Sequence, residues 1–138
     1  ICIGLKVFGS KVMVKYKDKL IVNPKLEIRK SDIHSYGVFA TENISVGDKL
    51  EECWYLRVLN EDHVHEPLKS YTFRLKNNVG PEDAYCLLFG YGSIYNKSKD
   101  KKIVNAEVLL NNVIDLFVFT AVRNIKGIKE SRDGKIKC

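Results

Sequence analysis

Apolar and polar residues alternate in short runs along this chain of 138 residues. In one run, Leu26 and Ile28 alternate with Glu27 and Arg29. Further runs with the same period cover positions 11–17 and 71–75, and the nearly continuous apolar run over 116–122 predicts the strongest late strand. A period of two places successive side chains on opposite faces of a strand, whereas a helix needs apolar residues three and four positions apart. Because the runs are short and turn residues separate them, the sequence predicts a mostly-β protein.

Two other segments predict a longer strand and a helix. Positions 50–59 are rich in apolar and aromatic residues and predict one long strand. Positions 80–83 read Gly-Pro-Glu-Asp and predict the start of a short helix, because proline is tolerated in the first turn and acidic residues there favour the helix dipole. That helix would end near Phe89, with Gly90 as its left-handed cap.

The net charge of +6 favours acidic partners, but the charges are unevenly placed. Lysine and arginine residues crowd three regions, 6–30, 97–102 and 126–137, whereas acidic residues concentrate between Glu42 and Glu66. Solvated faces that keep the protein in solution explain this pattern most simply. Two alternatives stay open: an acidic surface that binds a lysine-rich peptide, and a nucleic-acid site formed by the lysine clusters.

Cysteine spacing and hydropathy exclude several other classes. The four cysteines, Cys2, Cys53, Cys86 and Cys138, include no Cys-x-x-Cys pair, so we expect no metal site. No apolar run approaches the roughly 20 residues of a membrane span, and the first nine residues do not resemble a signal peptide. We therefore expect an intracellular protein with reduced thiols, neither membrane-bound nor secreted.

Two glycine-containing segments contain most of the residues that could bind a ligand or take part in a reaction. Positions 35–40 read Ser-Tyr-Gly-Val-Phe-Ala, and Gly37 would let the backbone approach a ligand closely. Positions 90–96 read Gly-Tyr-Gly-Ser-Ile-Tyr-Asn and end at Asn96, whose amide donates and accepts hydrogen bonds. Such an amide suits a ligand that has both an ammonium and a carboxylate. Taken singly, each segment is more simply explained as a turn.

Together and in this order, the two segments resemble the SET domain. Positions 36–40 match its Gly-x-Gly-x-Phe-Ala opening motif, and 90–96 are similar to a segment of small viral and bacterial SET proteins. The resemblance covers about residues 26–127 of a single domain that spans 1–138. The remaining parts are N-terminal strands within 1–25 and a divergent basic tail over 128–138.

The resemblance implies a β-clip-like fold of several small curved sheets, one short helix and a threaded C-terminal segment. It also implies binding of S-adenosylmethionine and methyl transfer to a lysine of a protein or peptide substrate. The residues implied in cofactor binding are Tyr36, Gly37, Tyr71, Asn96 and Lys97. Tyr71 and Tyr95 are implied as channel tyrosines in catalysis. Some small SET proteins form homodimers, so that possibility is open as well.

The sequence departs from the family pattern at three places. Lys97 replaces a histidine, and its ammonium would repel the sulfonium by roughly 1 kcal/mol in water-like surroundings or about 4 kcal/mol at an effective dielectric near 20. Positions 98–102 read Ser-Lys-Asp-Lys-Lys in place of a Ser-Cys-x-Pro-Asn pattern. No tyrosine follows Tyr95, and the basic tail does not resemble the family's last strand, so the final motif is degenerate and the threaded segment is open to being incomplete.

Three functions therefore remain open at this point. The first is an active protein-lysine methyltransferase that tolerates these substitutions. The second is a catalytically degenerate SET fold that binds a basic peptide. The third is a basic nucleic-acid-binding domain, although no stacking platform or recognition helix is evident in the sequence.

Overall fold

The computed structural model describes residues 16–32, 35–58, 64–75, 84–128 and 134–138. Their strands in chain order are β1 (Leu26–Lys30), β2 (Tyr36–Ala40), β3 (Lys49–Cys53), β4 (Tyr55–Val58), β5 (Thr72–Leu75), β6 (Ala84–Leu88), β7 (Ala106–Asn111) and β8 (Leu116–Ala121). A 3-10 helix, Leu68–Tyr71, precedes β5. The strands form three antiparallel sheets with the orders β1-β2, β3-β8-β7 and β4-β6-β5. The predicted mostly-β fold of small sheets is confirmed.

Strand β8 is the centre of the core. It pairs with both β3 and β7, and its Phe119 is fully buried. The Phe119 ring stacks on Tyr95 with centroids 4.2 Å apart and meets the edge of Phe73 from β5 at 6.1 Å. Aromatic contacts of this kind bury large apolar areas in preferred geometries. They join two of the sheets to the segment that carries Asn96.

The prediction of one continuous strand over 50–59 is wrong, because the chain forms two strands there. The chain forms β3, leaves the strand at the exposed Trp54, and continues as β4 in a different sheet. Cys53 pairs with Phe117, whereas Tyr55 pairs with Leu88. A run that is apolar on both faces is compatible with burial in either sheet, so hydropathy alone could not locate this break.

The predicted helix is also wrong where the structure describes it. Positions 80–83 lie outside the described residues, and Ala84–Leu88 form β6, the central strand between β4 and β5. Gly90 does adopt the left-handed conformation, with φ of +76°, but it does so in the turn that follows a strand. Pairing on both edges satisfies the backbone of β6, which outweighs a local helix-start signal.

The C-terminal residues are inserted into the fold, contrary to the expectation from their basic composition. Lys135 forms an antiparallel bridge with Phe39, and Lys137 forms a parallel bridge with Asn96. Between them, Ile136 is completely buried in the core. One apolar side chain between two lysines is a weak sequence signal, and the pairing partners that make it a core residue lie far away in the chain.

Little of the predicted N-terminal strand region is paired within the described residues. The run over 11–17 lies almost wholly outside them, and around 20–22 only an isolated bridge from Val22 to Glu51 forms. Lys17 makes an ion pair with the buried Glu52 at 2.5 Å. The described part of the chain contains no helix long and apolar enough to cross a bilayer.

A buried carboxylate fixes the turn after β6. Glu51 is almost fully buried, and its Oε2 accepts a hydrogen bond of 3.0 Å from the Tyr91 backbone N–H. Gly90 packs so closely on this carboxylate that a Cβ there would lie 2.6 Å from Oε2. Burial raises the pKa of Glu51 above its ordinary value, and the hydrogen bond from Tyr91 only partly opposes that shift.

Ile136→Ala tests the inserted tail. Deleting a fully buried isoleucine side chain removes transfer free energy and leaves a cavity, so we expect the free energy of unfolding to fall by about 2–5 kcal/mol. Urea denaturation followed by circular dichroism measures this loss. The matched control is Ile103→Ala at an exposed position, which should stay within roughly 0.5 kcal/mol of the parent. Equal effects of the two substitutions would contradict burial of the tail.

Glu51→Gln tests the buried carboxylate. The folded protein holds this proton at pH values above 4.5 at which the unfolded chain has released it, so stability falls as pH rises through the folded pKa. The glutamine variant stays neutral and can keep an acceptor for Tyr91. We expect its urea midpoint to exceed that of the parent at pH 7, with the difference shrinking towards pH 4.5. Glu107→Gln, exposed on β7, should leave the pH profile unchanged.

Candidate functional site

A cavity of about 630 Å³ lies between the first sheet, the 3-10 helix and the segment that follows β6. Five of the six residues singled out from the sequence belong to it or line it directly: Tyr36, Tyr71, Tyr95, Asn96 and Lys97. The sixth, Gly37, contacts the Asn96 side chain. The two glycine-containing segments are thus brought together in space, as the sequence comparison predicted.

Contact between Asn96 and Gly37 defines one end of the cavity. A Cβ on Gly37 would overlap the side-chain nitrogen of Asn96, so only glycine allows the two segments to approach this closely. Asn96 is 5% exposed, and its Nδ2 has no hydrogen-bond partner in the described structure. A buried amide donor without a partner is costly, and in a cavity it is available to a ligand acceptor.

Hydrogen bonds within the turn after β6 position Asn96. The Ser93 hydroxyl accepts from the Leu88 backbone N–H at 3.1 Å and donates to the Leu88 carbonyl at 3.0 Å. On the other side, the Cys138 backbone N–H donates to the Asn96 carbonyl at 2.9 Å. The backbone of Asn96 is therefore fixed by the inserted tail, whereas its side chain faces Gly37.

Tyr95 lines the cavity but is mostly a core residue. It is 3% exposed, and its ring stacks on Phe119. Burial raises the pKa of its hydroxyl, and the nearby Glu51 carboxylate adds to that effect. The hydroxyl makes no hydrogen bond of normal length in the described structure, so it is a protonated donor held at the wall of the cavity.

The Lys97 ammonium is held by hydrogen bonds and is not free in solvent. Its ammonium donates to the Thr72 carbonyl at 2.6 Å and to the Ser70 carbonyl at 3.3 Å. It also lies 4.2 Å from the centroid of the Phe73 ring, a cation–π distance. Burial lowers the pKa of Lys97, and Cys138 partly offsets that shift. This anchoring links the Asn96 segment to the 3-10 helix and β5.

Tyr36 and Tyr71 form the open walls of the cavity. They are 60% and 44% exposed, which leaves their rings accessible to a ligand. Behind Asn96, the Cys138 Sγ lies 3.8 Å from the Asn96 carbonyl oxygen. Burial raises the pKa of this thiol to about 11, so it is neutral at physiological pH.

Several cavity residues were not singled out from the sequence. They are Ile28, Ser35, Pro67, Ser70, Ser93 and Ile94. Ser35 belongs to the opening motif and could have been found from its position beside Tyr36. No sequence signal connects positions 67–70 to positions 35–37, because only the tertiary fold brings the 3-10 helix to β2.

Two carboxylates near the centre of the acidic region between Glu42 and Glu66 are buried rather than exposed. Glu51 and Glu52 are buried, and Glu52 is paired with Lys17 and Lys49. The described residues contain no group of three histidine, cysteine or acidic side chains that could hold a metal ion. An acidic surface for a basic peptide would have to be built without these two central carboxylates.

Solved structures of methyltransferases resemble this chain. A candidate histone methyltransferase from Plasmodium falciparum has a TM-score of 0.59 and 26% sequence identity, covering 84% of this chain and 92% of that one. The methyltransferase domain of human PR domain-containing protein 2 has a TM-score of 0.61 and 14% identity, covering 85% and 78%. CpSET8 from Cryptosporidium has a TM-score of 0.55 and 19% identity, covering 82% and 56%.

No protein-family model and no curated protein matches the sequence, so the likeness is carried by the structure. The described residues form small antiparallel sheets with almost no helix. The described part of the chain has the fold of SET-domain methyltransferases.

Proposed function

We propose that this protein is a SET-family methyltransferase that binds S-adenosylmethionine in the cavity beside Asn96 and acts on lysine side chains of a protein or peptide. The observation that carries the proposal is the buried Asn96 amide nitrogen, which has no partner and lies against Gly37. Its placement matches a role as donor to a polar ligand group. The similarity to methyltransferase structures supports the same reaction class.

The cavity fits such a cofactor in size and chemistry. Its volume of about 630 Å³ lies within the range of small-molecule sites, roughly 300–1,000 Å³. Asn96 offers a donor for a carboxylate end, and the exposed rings of Tyr36 and Tyr71 offer faces on which a planar base can pack. Gly37 keeps the backbone of β2 free of side-chain obstruction at this point.

The cofactor, when bound, supplies a methyl group on a positively charged sulfur. The protein must then present a lysine amine in its neutral form, although lysine in water has a pKa near 10.4. Burial of the substrate lysine and a nearby positive charge would both favour the neutral amine. Tyr71 and Tyr95 are the proposed channel residues. Tyr95 would act as a fixed hydroxyl donor, since burial keeps it protonated.

Lys97 sets a limit on cofactor affinity. Its ammonium is held by the carbonyls of Ser70 and Thr72 at the edge of the same cavity, so it cannot be removed to solvent without losing those bonds. A cation in that place opposes a cationic ligand, and burial strengthens the repulsion by lowering the local dielectric. Lysine is less favourable here than the family's histidine.

A second candidate function is peptide binding without catalysis. The proposed channel tyrosine Tyr95 is only 3% exposed, and its ring stacks on Phe119. A site that holds cofactor or peptide, but whose channel tyrosine serves only as a core residue, would bind without transferring a methyl group. Four further proposals rest on the sequence alone. They are the single-domain organisation, the likeness to small viral and bacterial SET proteins, an intracellular location and a homodimer.

Asn96→Ala is the direct test of the cofactor site. Removing a charge-assisted hydrogen bond costs about 1.5–3 kcal/mol, so we expect the Kd for S-adenosylmethionine, measured by isothermal titration calorimetry, to rise at least tenfold. Asn112→Ala, exposed in the turn between β7 and β8, should leave the Kd unchanged. Absence of binding by the parent protein at millimolar ligand would refute the proposal. Transfer of a labelled methyl group to a lysine-rich protein distinguishes the enzyme from the binding module.

The charge of Lys97 should make cofactor binding pH-dependent. As pH rises through its lowered pKa, the ammonium is lost and affinity for the cationic S-adenosylmethionine should increase. Lys97→Met should bind this ligand about fivefold or more tightly near pH 7, from roughly 1 kcal/mol of relieved repulsion. S-adenosylhomocysteine, which has a neutral sulfur, should gain less, and Lys99→Met should behave like the parent. Equal gains for both ligands would show that Lys97 does not act through its charge.

A further inference from the structure

A second cavity, of about 570 Å³, is strongly basic. It lies between the β1-β2 sheet and the inserted tail and shares no lining residue with the cavity beside Asn96. Its walls are formed by Arg29, Lys30, Asp32, Phe39, Ile128, Lys135 and Lys137. Four cationic side chains thus surround one carboxylate. This excess of positive charge in a concave site favours an anion.

Lys135 is the least exposed of the four cationic residues that line this cavity. The residue is only 9% exposed, and its ammonium lies 5.7 Å from the centroid of the Phe39 ring. Among the described residues it makes no ion pair. An ammonium that borders a cavity and makes no ion pair is available to an anionic ligand, and a single aromatic face at this distance does not neutralise its charge.

The cations are held in place by backbone pairing. The bridge from Phe39 to Lys135 fixes the tail against β2, and the Ile136 backbone N–H donates to the Val38 carbonyl at 2.9 Å. Arg29 lies in β1 opposite Gly37. Arg29 pairs with Glu27 through Nε at 3.2 Å, and a guanidinium has further N–H donors for a ligand oxygen. Backbone pairing therefore fixes the positions from which these side chains reach the cavity.

We propose that this cavity is a binding site for a phosphate group. A phosphate presents several oxygens with up to two negative charges, which suits a cavity lined by four cationic residues better than a single carboxylate does. The phosphate could belong to a free phosphorylated compound or to a nucleic-acid backbone, and the chemistry of recognition is the same. The site is independent of the proposed cofactor site.

Binding of pyrophosphate and of a short DNA duplex to the full chain tests the proposal at low ionic strength. Lys135→Gln and Lys30→Gln should each weaken binding about tenfold or more, whereas Lys135→Arg should retain it. Lys101→Gln removes the same charge at an exposed site outside the cavity and should have little effect. If the cavity variants lose pyrophosphate binding, the ligand is a free phosphorylated compound. If they lose only duplex binding, the ligand is nucleic acid. Either result supports the site.

Two outcomes would overturn the site. One is that neither ligand binds at millimolar concentration, and the other is that Lys101→Gln weakens binding as much as the cavity variants do. If Lys135→Gln does not fold, Lys30→Gln and Lys135→Arg decide the question. Asn96→Ala should keep phosphate binding, and Lys30→Gln should keep S-adenosylmethionine binding, so a failure of one proposal is distinguishable from a failure of the other.

Discussion

Backbone pairing of residues 134–138 with two distant segments holds the candidate site together. The Ile136 N–H donates to Val38 on β2 at 2.9 Å, and two residues later the Cys138 N–H donates to Asn96 at 2.9 Å. One short extended segment therefore spans the gap between the Gly37 wall and the Asn96 wall. Because Ile136 is buried, the pairing and the apolar core stabilise the same arrangement. Removing either would separate the two walls.

Buried polar groups around this segment divide into two kinds. The Ser93 hydroxyl and Oε2 of Glu51 have partners that fix the turn leading to Asn96, so their burial specifies one backbone conformation. The Asn96 amide nitrogen has none, and Lys135 in the neighbouring cavity makes no ion pair among the described residues, although Asp32 lines the same cavity. A ligand that pairs with an unsatisfied group in a cavity relieves the free-energy cost of leaving that group without a partner. The same physical argument thus assigns an acceptor group to one cavity and an anion to the other.

Sequence reasoning predicted what depends on local pattern or on a contiguous motif. Strand β1 follows from its alternation, β8 follows from its apolar run, and the meeting of Gly37 with Asn96 follows from the resemblance of two segments. Sequence reasoning failed where long-range strand pairing determines the local structure. β6 is a strand because two neighbours pair with it, despite helix-start residues before it, and Ile136 is a core residue because β2 lies beside it. Contacts between residues far apart in the chain leave little trace in hydropathy.

The inserted tail also governs when a nascent chain can complete this architecture. Translation produces β2 and the Asn96 segment well before Ile136, so the hydrogen-bonding edge of Val38 must wait for its partner. Until then the polypeptide carries an unpaired strand edge and an unfilled core position, the features that chaperones bind and that promote aggregation. Closing a contact of such high sequence separation is entropically slow, so maturation of the protein should be limited by this last docking step.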